Sequence, residues 1–263
     1  MSVALVTGGS RGLGRAAARA LTSSGWQVAV TGRGAGALDE VVASGDAALA
    51  LPGDGTDRAS VSEAVRRTQD ELGPVDLLVA NAGSFAAGGR LWETDPDLWW
   101  RDVEVNLRGP ALALHAVLPA MVERGSGRVV VLGSGMGAVP TAGASAYSTS
   151  KAAVLRLVDT VAAELAGTGV VVLAVSPGMV PTDMTRGFPE GFLQVRPELR
   201  DPAPDAWREA GAFTGLLLRI ASGQLDPLHG RFVHVRDDVE ALLAAAEDDP
   251  SAGTLRLTPW SPG

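Results

Sequence analysis

The chain contains one tyrosine and one lysine in 263 residues, and they stand four apart, as Tyr147 and Lys151 in the string YSTSK. The rest of its 22 cationic residues are arginine, a planar fork that does not replace a compact, tunable ammonium. Four residues is about one helical turn, which stacks both side chains on one face. A phenol beside an ammonium can move a proton. Free tyrosine titrates near ~10, so an acid at neutral pH needs a depression of roughly 3 units, about 4 kcal/mol. A cation about 4 Å away supplies about that much at an effective dielectric near 20. On this reasoning the lysine alone lowers the phenol far enough.

These side chains need elements to hold them. Upstream of Tyr147 the run RVVVLGS, 128 to 134, reads as a buried strand ending in the hydroxyl of Ser134, and strand ends are where α/β sheets place chemistry. Short apolar runs at Val3 to Val6, Gln27 to Val30, Ala47 to Leu51, Val75 to Ala80, Val129 to Leu132, Val170 to Val175 and Arg231 to Val235 alternate with amphipathic stretches. Those stretches are Leu13 to Ser24, Arg58 to Leu72, Pro110 to Glu123, Ala146 to Ala166 and about Asp205 to Ser222. The rhythm predicts an α/β fold of βαβ units: a doubly wound parallel sheet of seven strands with helices on both faces. The stretch from 184 to 204, rich in proline and without a clean period, reads as a lid.

At 26.9 kDa and 46% apolar residues the chain suits a single catalytic domain, drawn here over 1–236. Residues 237–263 then form a helix from Val239 to Glu247, capped by Asp237 and Asp238, and a tail packed on the same domain or a neighbouring subunit. The LRL near the end could add an edge strand there. Zero cysteines exclude disulfides and thiolate chemistry, and three scattered histidines argue against a metal site. His115, within an apolar helix, reads as a core or interface residue. A formal charge of -8 argues against nucleic acid and anionic membrane as partners. With no apolar run of roughly 18 residues and a strand starting almost at the first residue, a cytoplasmic location is expected.

A nucleotide site is expected where the first strand runs into TGGSRGLG, residues 7 to 14. Glycines at 8, 12 and 14 permit a tight turn and let backbone N–H groups and a helix N-terminus approach a pyrophosphate. The second strand ends in VAVTGRG, with Gly32 and Arg33 where an NAD site usually carries an acidic residue. Arg11 can reach the same region. Charge-assisted bonds to a phosphate are worth roughly 1.5–3 kcal/mol each, so NADP is favoured, with NAD possible.

TGGSRGLG, ANAG at 80 to 83, Asn106 in VNLRG, Ser134, YSTSK and SPGMVPTDM at 176 to 184 occur in an order and spacing that resemble the short-chain dehydrogenase/reductase family over about residues 2 to 236. The resemblance implies a Rossmann-like fold and hydride transfer between NADP and a ketone or aldehyde, reversible as a secondary alcohol dehydrogenase. It implies that Tyr147 carries the proton, Ser134 holds the carbonyl oxygen, and Lys151 binds the nicotinamide ribose while lowering the phenol's pKa. Asn106 would anchor a water leading from Lys151. Thr7, Gly8, Ser10, Arg11, Gly12, Leu13 and Gly14 would cradle phosphates, Asp54 and Gly55 the adenine, and Asn81, Ala82 and Gly83 the cofactor's middle. Pro177, Gly178, Val180 and Thr182 would wrap its nicotinamide end. A homodimer or homotetramer is the family default. The substrate pocket is expected to be bordered by Gly135, Met136, Val139, the segment near Phe188 and Phe192, and Trp92, while Trp99 reads as packing. Two rivals share the scaffold: an epimerase or dehydratase that retains its cofactor, and a cofactor sensor without turnover.

Overall fold

The computed structural model describes residues 1–248 and Gly253. Seven strands form in chain order: β1 (Val3–Thr7), β2 (Gln27–Gly32), β3 (Leu49–Pro52), β4 (Val75–Ala80), β5 (Gly127–Leu132), β6 (Val170–Ser176) and β7 (Phe232–His234). They pair in the order β3-β2-β1-β4-β5-β6-β7, every neighbour parallel. The runs are mostly apolar because both faces are covered, with Gln27, Asp76 and Arg128 near the strand starts. Val28 and Val30 enter one core layer and Ala29 the other, the period of two a pleated strand imposes.

The helices are α1 (Gly12–Ser23), α2 (Ala35–Ala43), α3 (Arg58–Glu71), α4 (Pro96–Val103), α5 (Gly109–Arg124), α6 (Gly135–Ala138), α7 (Ser145–Glu164), α8 (Asp183–Arg186), α9 (Glu190–Val195), α10 (Ala210–Ala221) and α11 (Val239–Asp248). One face of the sheet is covered by α1, α2 and α10 through residues such as Leu21, Leu38 and Phe213. The other is covered by α3, α5 and α7 through Val65, Val117 and Leu155. The winding reverses between β1 and β4, which opens a crevice at their carboxyl ends.

Several bounds differ from the sequence reading, for local reasons. The third strand starts at Leu49 rather than Ala47, because Asp46 is buried in the preceding turn as the acceptor of Arg15 and Arg19. The helix expected from Asp205 starts at Ala210; a separate 3-10 turn, Pro204–Ala206, precedes it, and Glu209 is extended at the N-cap. His115 lies exposed on α5, which removes the core half of its core-or-interface reading.

Between α4 and α5 the backbone does not break. A π-helical turn, Glu104–Arg108, joins them into one helix from Pro96 to Arg124, 29 residues long. By length and composition this helix could cross a membrane, but Ala113, Leu114, Val117 and Met121 use its apolar face to pack on the sheet. At the far end, Asp238 caps α11 by accepting from the Ala241 N–H at 3.0 Å. Leu242 and Leu243 of α11 pack against the α10 side of the core. The Gly253 carbonyl accepts from the Phe232 N–H at 2.7 Å, so the chain returns to β7. The LRL strand expectation lies outside the described residues.

Candidate active site

The glycine turn is built by two strand ends locked together. Gly8 and Gly12 take positive φ, +65° and +55°, which only glycine adopts without strain. The Thr7 hydroxyl accepts from the N–H groups of Asn81 and Ala82, both at 3.1 Å, and Asn81 Nδ2 donates to the carbonyls of Thr7 (2.9 Å) and Gly8 (3.1 Å). A Cβ on Gly14 would sit 2.2 Å from the Gly8 oxygen and 2.5 Å from Asn81 Nδ2. Gly14 therefore serves close packing and does not line the cavity. Arg11 stands at the N-cap of α1 with no side-chain cap, which leaves first-turn amides for an anion.

From this turn a cavity of about 1100 Å³ runs along the strand ends. Its wall includes Thr7, Gly8, Ser10, Arg11, Gly12, Leu13, Arg33, Asp54, Gly55, Asn81, Ala82, Gly83, Tyr147, Lys151, Pro177, Gly178, Val180 and Thr182. Residues from five loops thus meet on one surface. Ser134, half-buried, and Asn106, buried, are not among the residues that line the cavity. The size, the glycine cradle and the buried cation at one end fit a nicotinamide dinucleotide.

At one end, Arg33 is exposed at the lip. Asp54 accepts from the Thr56 N–H (2.9 Å) and hydroxyl (2.8 Å), and these bonds hold its carboxyl below the usual range, with Arg33 and Arg101 adding attraction. Arg101 and Trp100 line this end and carry no motif that marks them in the sequence. Arg11 is engaged in an ion pair. Its guanidinium pairs with Asp183 at 2.7 Å, across the mouth of the cavity, with both side chains largely exposed.

At the other end, α7 presents Tyr147 and Lys151. The Lys151 Nζ lies 5.7 Å from the phenol ring centroid and donates to the Leu132 carbonyl at 2.6 Å. Lys151 is 3% exposed, and burial brings its ammonium down to about 8. Tyr147 keeps part of its surface on the cavity, yet the packing around it pushes its phenol above the ordinary value. The Ser134 hydroxyl, hydrogen-bonded to the phenol, acts against that push, and Asp102 adds to it. The expected net lowering by the lysine is overturned in this cofactor-free geometry. The cation argument left burial out.

Asn106 is fully buried in the π turn, and both its amide oxygen and its amide nitrogen are bonded. Oδ1 accepts from the Ser84 N–H (2.8 Å), while Nδ2 donates to the Ser84 carbonyl (2.8 Å) and the Ser150 hydroxyl (3.1 Å). Its side chain braces the Ser84 turn and meets α7 at Ser150, the neighbour of Lys151. Ser134 caps α6 by accepting from the Met136 N–H at 3.2 Å.

The expected substrate pocket is differently arranged. Phe192 is 0% exposed and Phe188 packs on it at 5.3 Å, so the pair is a small core with Phe85 rather than an open wall. Met136 and Met184 flank this core. Val139 and Trp92 are exposed, and neither lines the cavity. Trp99 donates to the Ser145 hydroxyl at 3.0 Å, a packing role at the start of α7.

The family model for short chain dehydrogenases matches residues 2–191. A short chain dehydrogenase of Pseudocercospora fijiensis is 36% identical over 94% of this chain and 84% of its own length. A 3-oxoacyl-[acyl-carrier-protein] reductase of Synechocystis is 36% identical over 77% of this chain and 84% of its own. Among solved structures, an actinorhodin polyketide ketoreductase with NADPH superposes with a TM-score of 0.79 at 29% identity, over 89% of this chain and 95% of the other. With the family model matching over most of its length and a relative 36% identical over 94% of it, the chain belongs to the short-chain dehydrogenase/reductase family of oxidoreductases.

Proposed function

We propose that this oxidoreductase is an NADPH-dependent carbonyl reductase, reversible as a secondary alcohol dehydrogenase. The observation that carries the reading is that one cavity joins the glycine turn to Tyr147 and Lys151, with the Ser134 hydroxyl favouring ionisation of the phenol. Likeness to ketoreductases, one of them with NADPH, supports it.

The phosphates would lie on the Gly8–Gly12 turn and the first amides of α1, the adenine by Asp54, and the nicotinamide between Tyr147 and the Pro177–Thr182 segment. When bound, NADPH supplies the hydride. The protein's own work is to orient the carbonyl and manage its proton. Ser134 and Tyr147 donate hydrogen bonds to the carbonyl oxygen as its charge develops, and Tyr147 then releases its proton to that oxygen, giving the alcohol. Lys151 holds the ribose and stabilises the phenolate left behind. Its Nζ already has one oxygen partner in Leu132, which leaves two of its three donors for ribose hydroxyls or water. Asn106 supports this end through the turn it braces, and a water near Lys151 would rest on its backbone, since its amide is engaged. Arg33, at the lip with no acidic neighbour in its own strand end, favours the 2′-phosphate. Phe85 and Met184, which line the cavity and pack in the same cluster as the phenol, favour a ketone or aldehyde with apolar bulk. A homo-oligomer in the cytoplasm completes the proposal.

The test is NADPH consumption across aldehydes, cyclic and aromatic ketones and ketoacyl thioesters, with Tyr147→Phe as control. Turnover lost in the control, with NADPH affinity kept within a few-fold, is the expected result. Near-normal turnover in Tyr147→Phe refutes the assignment of the acid.

A further inference from the structure

Asp102 in α4 is a carboxylate at 0% exposure that the chemistry above does not use. It accepts from the Ser84 hydroxyl (2.5 Å), from the Ala86 N–H (2.8 and 3.1 Å to its two oxygens) and from the Ala87 N–H (2.9 Å). Four residues on, Asn106 takes both backbone groups of Ser84. Two side chains on one helical face therefore hold the turn from Ser84 to Ala87. That turn carries Phe85, whose ring stacks on Tyr147 with centroids 4.8 Å apart and planes at 19°. Phe85 is itself 8% exposed and wedged by Phe188 at 5.6 Å and Phe192 at 4.9 Å.

We propose that Asp102 is a positioning residue of this site: its buried carboxylate clamps the Ser84–Ala87 turn so that Phe85 lies flat on Tyr147 and sets the orientation and solvation of the phenol. The donors of this turn converge from one side, so the group that receives them must offer acceptors only. A carboxylate does, whereas an amide would turn an NH2 toward N–H groups. The carboxylate also acts through its charge. The charged groups turned toward the phenol are Lys151 from its own helix and Asp102 from α4. Asp102 keeps the proton on the phenol, as does the covering ring of Phe85. Releasing the clamp thus lowers the pKa of Tyr147 twice over, through lost charge and through readmitted water.

The functional meaning of this inference rests on the reductase reading, but its test does not. Tyr147 is the chain's only tyrosine, so tyrosinate absorbance of the purified, cofactor-free protein reports this one group directly. Wild type, Asp102→Asn and Phe85→Leu are titrated toward alkaline pH, with circular dichroism marking the onset of unfolding. A unit charge roughly 10 Å from a titrating group moves it by about one pH unit at an effective dielectric near 20. Asp102→Asn is expected to form tyrosinate about one unit lower than wild type, and Phe85→Leu is expected to shift in the same direction through readmitted water alone. In ketone reduction, which needs the protonated phenol, the alkaline limb of kcat is expected to move down by the same amount, with KM for NADPH changed less than kcat. Phe85→Leu leaves the carboxylate untouched and decides the matter if Asp102→Asn does not fold. A tyrosinate onset unchanged in the folded variants, or tied to unfolding in all three proteins, overturns the clamp. A shifted titration in a protein that turns over no carbonyl keeps the clamp and removes the reductase.

Discussion

Replacing Lys151 by methionine is expected to stabilise the protein while ending turnover. Burial takes the ammonium from its usual 10.5 to about 8, a gap of about 2.5 pH units that corresponds to about 3 kcal/mol of destabilisation wherever the lysine is charged in both states. Methionine keeps most of the stem and discards the charge. It also forfeits the bond to the Leu132 carbonyl, which offsets about 1–2 kcal/mol of the gain. The net at pH 7 is about 1–2 kcal/mol in favour of the variant, a melting temperature higher by roughly 3–6 °C for a domain of this size. The sign of the pH dependence follows from which state holds the proton. Between about 8 and 10.5 the unfolded chain binds a proton that the folded chain has released, so wild-type stability rises through that window and the advantage of methionine shrinks. Thermal and urea unfolding of cofactor-free protein at pH 7 and pH 10 measure both quantities. A Lys151→Met protein less stable than wild type at pH 7, or a gap equal at the two pH values, refutes the reasoning.

Gly14→Ala forces a Cβ against the Gly8 oxygen and Asn81; it should lower stability by about 1–3 kcal/mol and weaken NADPH binding at least tenfold by calorimetry, and unchanged affinity would remove the packing argument. Arg33→Ala should weaken NADPH binding by about 10- to 100-fold, one charge-assisted bond, and leave NADH within a few-fold; equal losses count against a 2′-phosphate contact. Asp46, buried between Arg15 and Arg19, is held well below the usual carboxylate range. Its contribution is present above about pH 4 and is lost as pH falls. Asp46→Asn should therefore cost about 2 kcal/mol at pH 7, between exposed and buried pairs because Arg19 is exposed, and progressively less in acid-unfolding curves below pH 4.

The sheet was legible because strands buried on both faces must be largely apolar, as Val170 to Val175 is throughout and Val75 to Ala80 is apart from Asp76. The glycine turn was legible because Gly8 and Gly12 are demanded by backbone shape. Short helices such as α2 and α6 carry too few turns for a period to show. What escaped were contacts between distant residues. Asp102 sits in the string WWRDVEVN, where a carboxylate reads as solvated, and only the fold brings Ser84 under it. Phe85 and Tyr147 are 62 residues apart and share no motif. Arg11 was assigned to a phosphate with no sign of Asp183, 172 residues on. The phenol's direction was misjudged for the same reason, since burial is a property of the assembled neighbours.

The π turn from Glu104 to Arg108 sets a phase. One extra residue in a helical turn rotates everything beyond it by about 100° relative to a regular α-helix. That offset lets Asp102 and Asn106 look at the Ser84 turn while Leu114, Val117 and Met121, on the same unbroken helix, look at the sheet. A loop at this point would let the two halves turn independently. A continuous helix behaves as a crankshaft, so the angle at which Asn106 meets Ser84 is set by how α5 seats on β4 and β5, and repacking deep in that layer is transmitted to the phenol.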